Sequence, residues 1–166
     1  MLRMFALDPG TRKTGWARFD GTALTDSGVF STEQFITDTY MWVRIHSILE
    51  QANAKTAGLA LDVVVIEKPL GMFAAANMGF AVSSALHVLA DDLAKWARRR
   101  KAEVVWLTPQ ESKRLILGKV AKDAADKKKL VAKAMQQRYG APGDWDENRY
   151  DAIGLGAAYL AKHKGG

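Results

Sequence analysis

Four β-branched residues in succession, Val63 to Ile66, constrain the fold of this chain more than any other stretch. They favour a strand, and because none is polar, both faces of that strand must be covered by other elements. The run ends in Glu67, and Lys68-Pro69 follows as the start of a loop. The sequence therefore predicts an α/β protein with an acidic side chain at the end of a central strand.

A second apolar run repeats this pattern near the start of the chain. Met4–Leu7 ends in Asp8, and a Pro9-Gly10 turn leads into the next apolar segment. Pro9 fixes φ, and Gly10 tolerates a positive φ, so the turn is tight. Asp8 either caps this turn or, held rigidly at a strand end, binds a metal ion. On this stretch alone, both interpretations stay open.

The remaining apolar periodicities predict the other elements. Strands are predicted at Leu2–Asp8, Thr14–Asp20, Ala23–Phe30, Leu61–Glu67 and Glu103–Leu107, and helices at Thr37–Ala57, Met72–Lys101, 109–117, Asp126–Tyr139 and Trp145–Lys162. Short connections make the first three strands an antiparallel meander, and a helical crossover lets the fourth lie parallel to the first. We expect a mixed five-stranded sheet flanked by helices, in one domain spanning 1–166. The apolar stripes predicted to pack inward from these helices include Trp42, Val82 and Leu130.

Composition narrows the possible functions. The chain has no Cys, which excludes disulfides, a thiolate zinc site and a cysteine nucleophile. No apolar run approaches the ~20 residues of a membrane span, and we find no signal peptide, so we expect a cytoplasmic protein, or an organellar or phage-encoded one. The net charge is +6, and Lys/Arg runs at 98–101, 113–114 and 127–129 favour a phosphate-rich ligand.

A third group of acidic residues surrounds the start of the last predicted helix. Asp144 and Asp146 are predicted to cap that helix, whereas capping and metal binding are equally open for Glu147. Asp151 lies beside apolar Ala152 on the inward face, where an unpartnered carboxylate is unusual. We therefore predict that Asp151 is a metal ligand.

Three rigid carboxylates, Asp8, Glu67 and Asp151, form a ligand set of oxygen atoms alone. Such ligands suit Mg²⁺ or Mn²⁺ rather than zinc. Two such ions about 4 Å apart stabilise both the attacking and the leaving oxygen in phosphodiester hydrolysis. This constellation predicts a metal-dependent nuclease.

Four motifs in chain order resemble those of RuvC-type Holliday junction resolvases, which have a ribonuclease H-like fold. They are Leu7–Gly15, Ile66–Pro69, Thr108–Lys113 and Asp151–Leu155. The resemblance implies a homodimeric endonuclease of DNA recombination and repair that binds four-way junctions and cuts two opposing strands. It implies Mg²⁺-dependent attack by water, with two ions per site and with Mn²⁺ able to substitute, leaving 5′-phosphate ends.

The resemblance also assigns roles to single residues. It makes Asp8, Glu67 and Asp151 the metal ligands, and Lys113 with Lys127 or Lys128 the catalytic cations. The family has an acid or His three residues before the last Asp, where this chain has Asn148, so either Asn148 or Glu147 is expected to be the fourth ligand. The residues predicted to contact DNA, including the three candidates for a wedge in the junction (Leu70, Met72, Phe73), are Arg12, Lys13, Lys68, Leu70, Met72, Phe73, Lys113, Arg114, Lys119, Lys127 and Lys128.

Three alternatives stay open at this point. One is a nuclease of the same fold that acts on flaps, other branched DNA or RNA. The second is a junction-binding protein with weak catalysis, which is supported by Asn148 at a position where the family has an acid or His. The third is a phosphate-binding ATPase, because the segment Asp8–Thr11 is also typical of a phosphate loop. Such ATPases need a second copy of this domain, and the chain contains no internal repeat.

Overall fold

The computed structural model describes residues 1–34, 40–71, 80–118, 124–140 and 142–163, with the backbone alone at 80–81 and 124–127. The strands are β1 (Arg3–Asp8), β2 (Lys13–Asp20), β3 (Ala23–Ser31), β4 (Val63–Glu67) and β5 (Glu103–Leu107). The helices of the described residues are α1 (Met41–Lys55), α2 (Phe80–Arg99), α3 (Pro109–Leu117), α4 (Ala124–Tyr139) and α5 (Glu147–His163).

The five strands form one mixed sheet in the order β3-β2-β1-β4-β5. β1, β2 and β3 pair antiparallel, whereas β4 and β5 run parallel to β1. Leu7 lies opposite Ile66 in the register of β1 and β4. The predicted sheet is confirmed, and it places Asp8 and Glu67 next to each other at one edge, because each directly follows a residue of that pair.

Helices cover both faces of the sheet. α1 and α2 pack over Phe5, Leu7 and Ile66, and α3, α4 and α5 pack over Met4 and Ala6 on the other face. Every residue of the β-branched run in β4 is at most 4% exposed. The prediction that this strand is buried on both faces is therefore confirmed.

Two glycines allow α5 to lie directly against the sheet. A Cβ atom on Gly15 in β2 would collide with the backbone carbonyl of Asn148, and one on Gly156 would collide with the ring of Phe19. Gly15 pairs with Asp8 across β1 and β2. The absence of a side chain at Gly15 therefore brings the first turn of α5 to the end of β1.

Three apolar residues that were predicted to pack inward are instead exposed, although each lies in its predicted helix. Trp42, Val82 and Leu130 are 65%, 37% and 39% exposed. Trp42 is in the first turn of α1, and the buried residues of that helix lie further along it, from Ile45 onward. Next to Leu130, Val131 is buried in the core. Since consecutive helix residues differ by about 100° in direction, Leu130 faces away from that core.

Several predicted helix ends differ from the structure: α1 ends at Lys55 rather than at Ala57, and α2 ends at Arg99 rather than at Lys101. The described parts of α1 and α2 begin at Met41 and Phe80, and the predicted helical residues 37–39 and 72–79 lie outside the described residues. α5 begins at Glu147 rather than at Trp145. In the described part of the chain, no helix combines the length and apolarity needed to cross a membrane.

Candidate active site

The turn after β1 is held by two hydroxyl groups, one from Thr14 in β2 and one from Thr32 directly after β3. The Thr14 Oγ1 donates to the carbonyl oxygen of Gly10 at 2.8 Å and accepts from the Gly10 backbone N at 3.3 Å. Buried Thr32 donates its hydroxyl to the carbonyl oxygen of Thr11 at 2.7 Å. These bonds fix the loop that follows β1, and the Asp8 carboxylate is therefore held at the end of a rigid strand.

A cavity of about 350 Å³ opens at this edge of the sheet. Three carboxylates line it, from Asp8 on β1, Glu67 on β4 and Asp151 on α5. Two cations line it as well, Lys113 on α3 and Lys128 on α4. We call this space the acidic cavity. It unites residues from five elements that are far apart in sequence, and all five were candidates from the sequence alone.

Burial and mutual repulsion dominate the electrostatics of the acidic cavity. Burial raises the pKa of Asp8 well above its ordinary value, and the carboxylates of Glu67 and Asp151 raise it further. Burial, followed by the charge of Asp151, raises the pKa of Glu67 to about 7. Burial also raises the pKa of Asp151. Lys113 and Lys128 oppose all three shifts without cancelling them. The cavity therefore favours the binding of an additional positive charge.

The carboxylates do not stand as a preformed metal site. In the ranges that the structure describes, no group of three His, Cys, Asp or Glu side chains is arranged to hold one metal ion. Asp8 and Glu67 nevertheless start from neighbouring positions, because each follows a residue of the Leu7–Ile66 pair on adjacent strands.

Glu147 and Asn148, the two candidates for a fourth ligand, have different surroundings. Glu147 forms an ion pair with Lys128 at 2.6 Å, and its side chain is 59% exposed. This hydrogen bond is the main cause of the raised pKa of Lys128. Asn148 is partly buried and lines the acidic cavity beside Asp151, whereas Glu147 does not line it.

Asp146 caps α5, as predicted from the sequence. Its Oδ1 accepts hydrogen bonds from the backbone N of Asn148 at 2.9 Å and from Asn148 Nδ2 at 2.8 Å. Its Oδ2 accepts from Lys13 Nζ at 2.9 Å. Burial acts to raise the pKa of Asp146, but the hydrogen bonds from Asn148 and Lys13 outweigh it, so the pKa lies below its ordinary value. Lys13, predicted to contact DNA, is thus already paired, and Glu33 lies 3.7 Å away from it.

The other predicted DNA contacts divide into two groups. Arg12, Lys68 and Arg114 are exposed, and Leu70, which is 48% exposed, lines the acidic cavity. The residues that fall outside the described part of the chain are Met72, Phe73 and Lys119, together with the side chain of Lys127.

The first of the three basic runs lies away from the acidic cavity. This run covers the last two residues of α2, Arg98 and Arg99, and the two residues that follow them. It leads to Glu103 at the start of β5, and Glu67 lies at the other end of these parallel strands. Within the run, Arg100 donates to the carbonyl oxygens of Thr56 and Leu59. This basic run is therefore not among the cations that line the acidic cavity.

Sequence reasoning missed two serines that line the acidic cavity. Ser83 and Ser112 are 3% and 5% exposed. Ser112 donates to the carbonyl oxygen of Pro109, while the Ser83 hydroxyl has no hydrogen-bond partner among the described residues. One sequence signal pointed to Ser83. It lies three positions before Leu86, so it is a small polar residue on the apolar face of its helix.

The strand order and the helix layers define the ribonuclease H-like fold. Among solved structures, the chain is similar to Thermus thermophilus RuvC in complex with a Holliday junction substrate, with a TM-score of 0.74 and 13% identity over 100% of this chain and 97% of that one. A second structure of Thermus thermophilus RuvC gives a TM-score of 0.68 and 14% identity, over 99% of this chain and 97% of that one.

The crystal structure of the yeast mitochondrial Holliday junction resolvase is similar as well. Its TM-score is 0.58 at 11% identity, over 96% of this chain and 78% of that one. No protein-family model matches the chain, and no curated protein matches it by sequence. At these identities, the likeness establishes a shared fold of the RuvC type.

Proposed function

We propose that this protein is a metal-dependent endonuclease that resolves four-way DNA junctions by cutting two opposing strands and leaves 5′-phosphate ends. The observation that carries the proposal is the acidic cavity, where three carboxylates and two lysines from five elements meet. The similarity in fold to two resolvases, one of them bound to a junction, supports the choice of substrate.

The donor set of the cavity fits a hard divalent cation. Asp8, Glu67 and Asp151 offer only oxygen atoms, and their raised pKa values mean that each ionised carboxylate gains from added positive charge. These residues, with Asn148 or Glu147, would hold Mg²⁺ or Mn²⁺, and we propose two ions per site. When bound, such ions activate water and stabilise the charge that develops on the phosphodiester.

The protein's own residues would orient the reacting groups. Asp8 and Glu67 stand on adjacent strands, so the sheet fixes their separation. Lys113 and Lys128 bring positive charge to the same cavity and would contact the non-bridging oxygens of the scissile phosphate. Because Lys128 lines the cavity, we propose it as the second catalytic cation, and we propose Lys127 as a contact to DNA.

Binding of the junction would use charges around the cavity. Arg12, Lys68 and Arg114 are exposed cations, and we propose that they contact the DNA backbone together with Leu70 as a wedge candidate. A four-way junction has two-fold symmetry, so a homodimer would direct two equivalent cavities at opposing strands. We therefore propose a dimer as the active form.

Cleavage of a synthetic immobile four-way junction tests this proposal. The purified protein would be incubated with Mg²⁺, Mn²⁺ or EDTA, beside flap, duplex and RNA–DNA hybrid substrates. We expect paired symmetric nicks in the junction with either metal and none with EDTA. Preferential cutting of flaps or hybrids would instead support the alternative nuclease. Binding without any cutting would support a junction-binding protein.

Single substitutions assign the chemistry to the cavity. Asp8→Asn, Glu67→Gln and Asp151→Asn should each abolish cleavage while leaving junction binding intact. Asp91→Asn, which changes an exposed carboxylate on α2, serves as the matched control and should cut normally. Full activity in any of the three cavity variants would remove that residue from the mechanism.

A further inference from the structure

The side-chain amide of Asn148 has a defined orientation. Asn148 Nδ2 lies 2.8 Å from Asp146 Oδ1, and the same oxygen accepts the backbone N–H of Asn148 at 2.9 Å. An ionised carboxylate only accepts hydrogen bonds, so the amide end that faces Asp146 must be the NH₂ group. The Oδ1 end of Asn148 therefore points away from Asp146.

The acidic cavity is the second feature that borders Asn148. Asn148 lines that cavity, and it stands three residues before Asp151, which places both side chains on one face of α5. Among the described residues, no donor is hydrogen-bonded to Asn148 Oδ1. The amide oxygen is thus available as a neutral ligand beside the carboxylate of Asp151.

Lys13 holds the other oxygen of the same carboxylate. Its ammonium group donates to Asp146 Oδ2 at 2.9 Å, and the two side chains are 34% and 32% exposed. With one oxygen held by Asn148 and the other by Lys13, Asp146 has little freedom to rotate. Glu147, the competing ligand, faces Lys128 instead and is mostly exposed.

We propose that Asp146 and Lys13 are positioning residues, which orient the amide of Asn148 so that its oxygen completes the metal site. This inference rests on the proposed function, because it assumes that the acidic cavity binds a divalent cation. It explains how a chain with Asn at this position presents an oxygen ligand without adding a fourth carboxylate to a cavity already rich in negative charge.

The variant Asp146→Ser separates orientation from helix capping. A Ser hydroxyl still accepts the backbone N–H of Asn148 and is as good a cap as Asp, so the thermal stability should change little. The carboxylate that accepts from Asn148 Nδ2 and pairs with Lys13 is lost. We expect Mn²⁺ affinity, measured on the protein without DNA by calorimetry or electron paramagnetic resonance, to fall by about 10–100-fold.

A second substitution tests whether orientation is the cause. The two oxygens of a carboxylate are equivalent, so an acid at position 148 needs no orienting partner. The double variant Asp146→Ser/Asn148→Asp should therefore bind Mn²⁺ at least as tightly as the unaltered protein. Asn148→Asp alone leaves two carboxylates facing each other and should bind Mn²⁺ more weakly than the double variant. Asn148→Ala should lose affinity as Asp146→Ser does.

The outcomes distinguish this inference from the proposed function. Absence of Mn²⁺ binding in the unaltered protein would overturn the metal site and the proposed function with it. Binding that Asp146→Ser and Asn148→Ala leave unchanged would overturn the positioning role alone. Loss of affinity in Asp146→Ser without recovery in the double variant would also overturn it, because a purely structural role of Asp146 gives that result.

Discussion

Replacing Glu67 with Gln should make the metal-free protein more stable at pH 8, although it removes a residue that we propose to be essential. Burial and the charge of Asp151 raise the pKa of Glu67 from 4.5 to about 7. At pH values between 4.5 and about 7, the folded state therefore binds more protons than the unfolded state. The free energy of unfolding therefore falls as the pH rises from about 4.5 to about 7 and stays lower above it.

The magnitude follows from the size of this shift. One pKa unit corresponds to about 1.4 kcal/mol, so ionisation of Glu67 costs the folded state at most about 3–4 kcal/mol. Because the side chain keeps some contact with solvent, screening reduces the expected gain from Glu67→Gln to about 1–2 kcal/mol. For a chain of this length, such a gain corresponds to a rise in Tm of about 2–8 °C.

Thermal unfolding in EDTA at pH 5 and pH 8 measures this effect. Glu67→Gln should raise Tm at pH 8 and change it little at pH 5, where the Glu67 carboxyl is already protonated. The matched control is Glu103→Gln, an exposed substitution at the first residue of β5 and at the opposite edge of the sheet. It should not reproduce the pH-dependent gain. Adding Mg²⁺ at pH 8 should stabilise the unaltered protein more than Glu67→Gln.

Two results would refute this reasoning. A lower Tm of Glu67→Gln at pH 8 would mean that the carboxylate makes favourable contacts that exceed its repulsion. An equal gain at both pH values would mean that the substitution acts through packing and not through charge. In either case, the acidic cavity would not hold the excess negative charge on which the proposed cation site depends.

Three further predictions concern packing and charge. Gly15→Ala should lower the free energy of unfolding by about 1–3 kcal/mol in a urea titration, because the added Cβ collides with the Asn148 carbonyl. Gly71→Ala should not, because its Cβ meets no atom of the described residues within 4 Å, and equal effects of the two variants would contradict the close approach of α5. The affinity for a four-way junction should fall steeply with salt in a binding titration, since Lys and Arg displace condensed counterions, and a flat response would argue against DNA as ligand. Lys128→Met should reduce cleavage more than junction affinity, whereas Lys129→Met, its exposed neighbour on α4, should cut normally; equal cleavage by both variants would exclude the assigned role of Lys128.

The sequence by itself determined the sheet and the positions of the acids. Four β-branched residues from Val63 to Ile66 require a doubly covered strand, and short connections require the meander before it. Asp8 and Glu67 each end an apolar run, and parallel strands end at the same edge of a sheet, so their proximity was predictable. These features depend on local periodicity, which can be read from the sequence alone.

Only the tertiary structure decided which of two neighbouring residues faces the acidic cavity. Asn148 lines it while Glu147 faces Lys128. Consecutive helix residues differ by about 100° in direction, so the choice depends on how far α5 is rotated about its axis. That rotation is set by contacts far apart in sequence, such as the close approach at Gly15, and no local pattern encodes it.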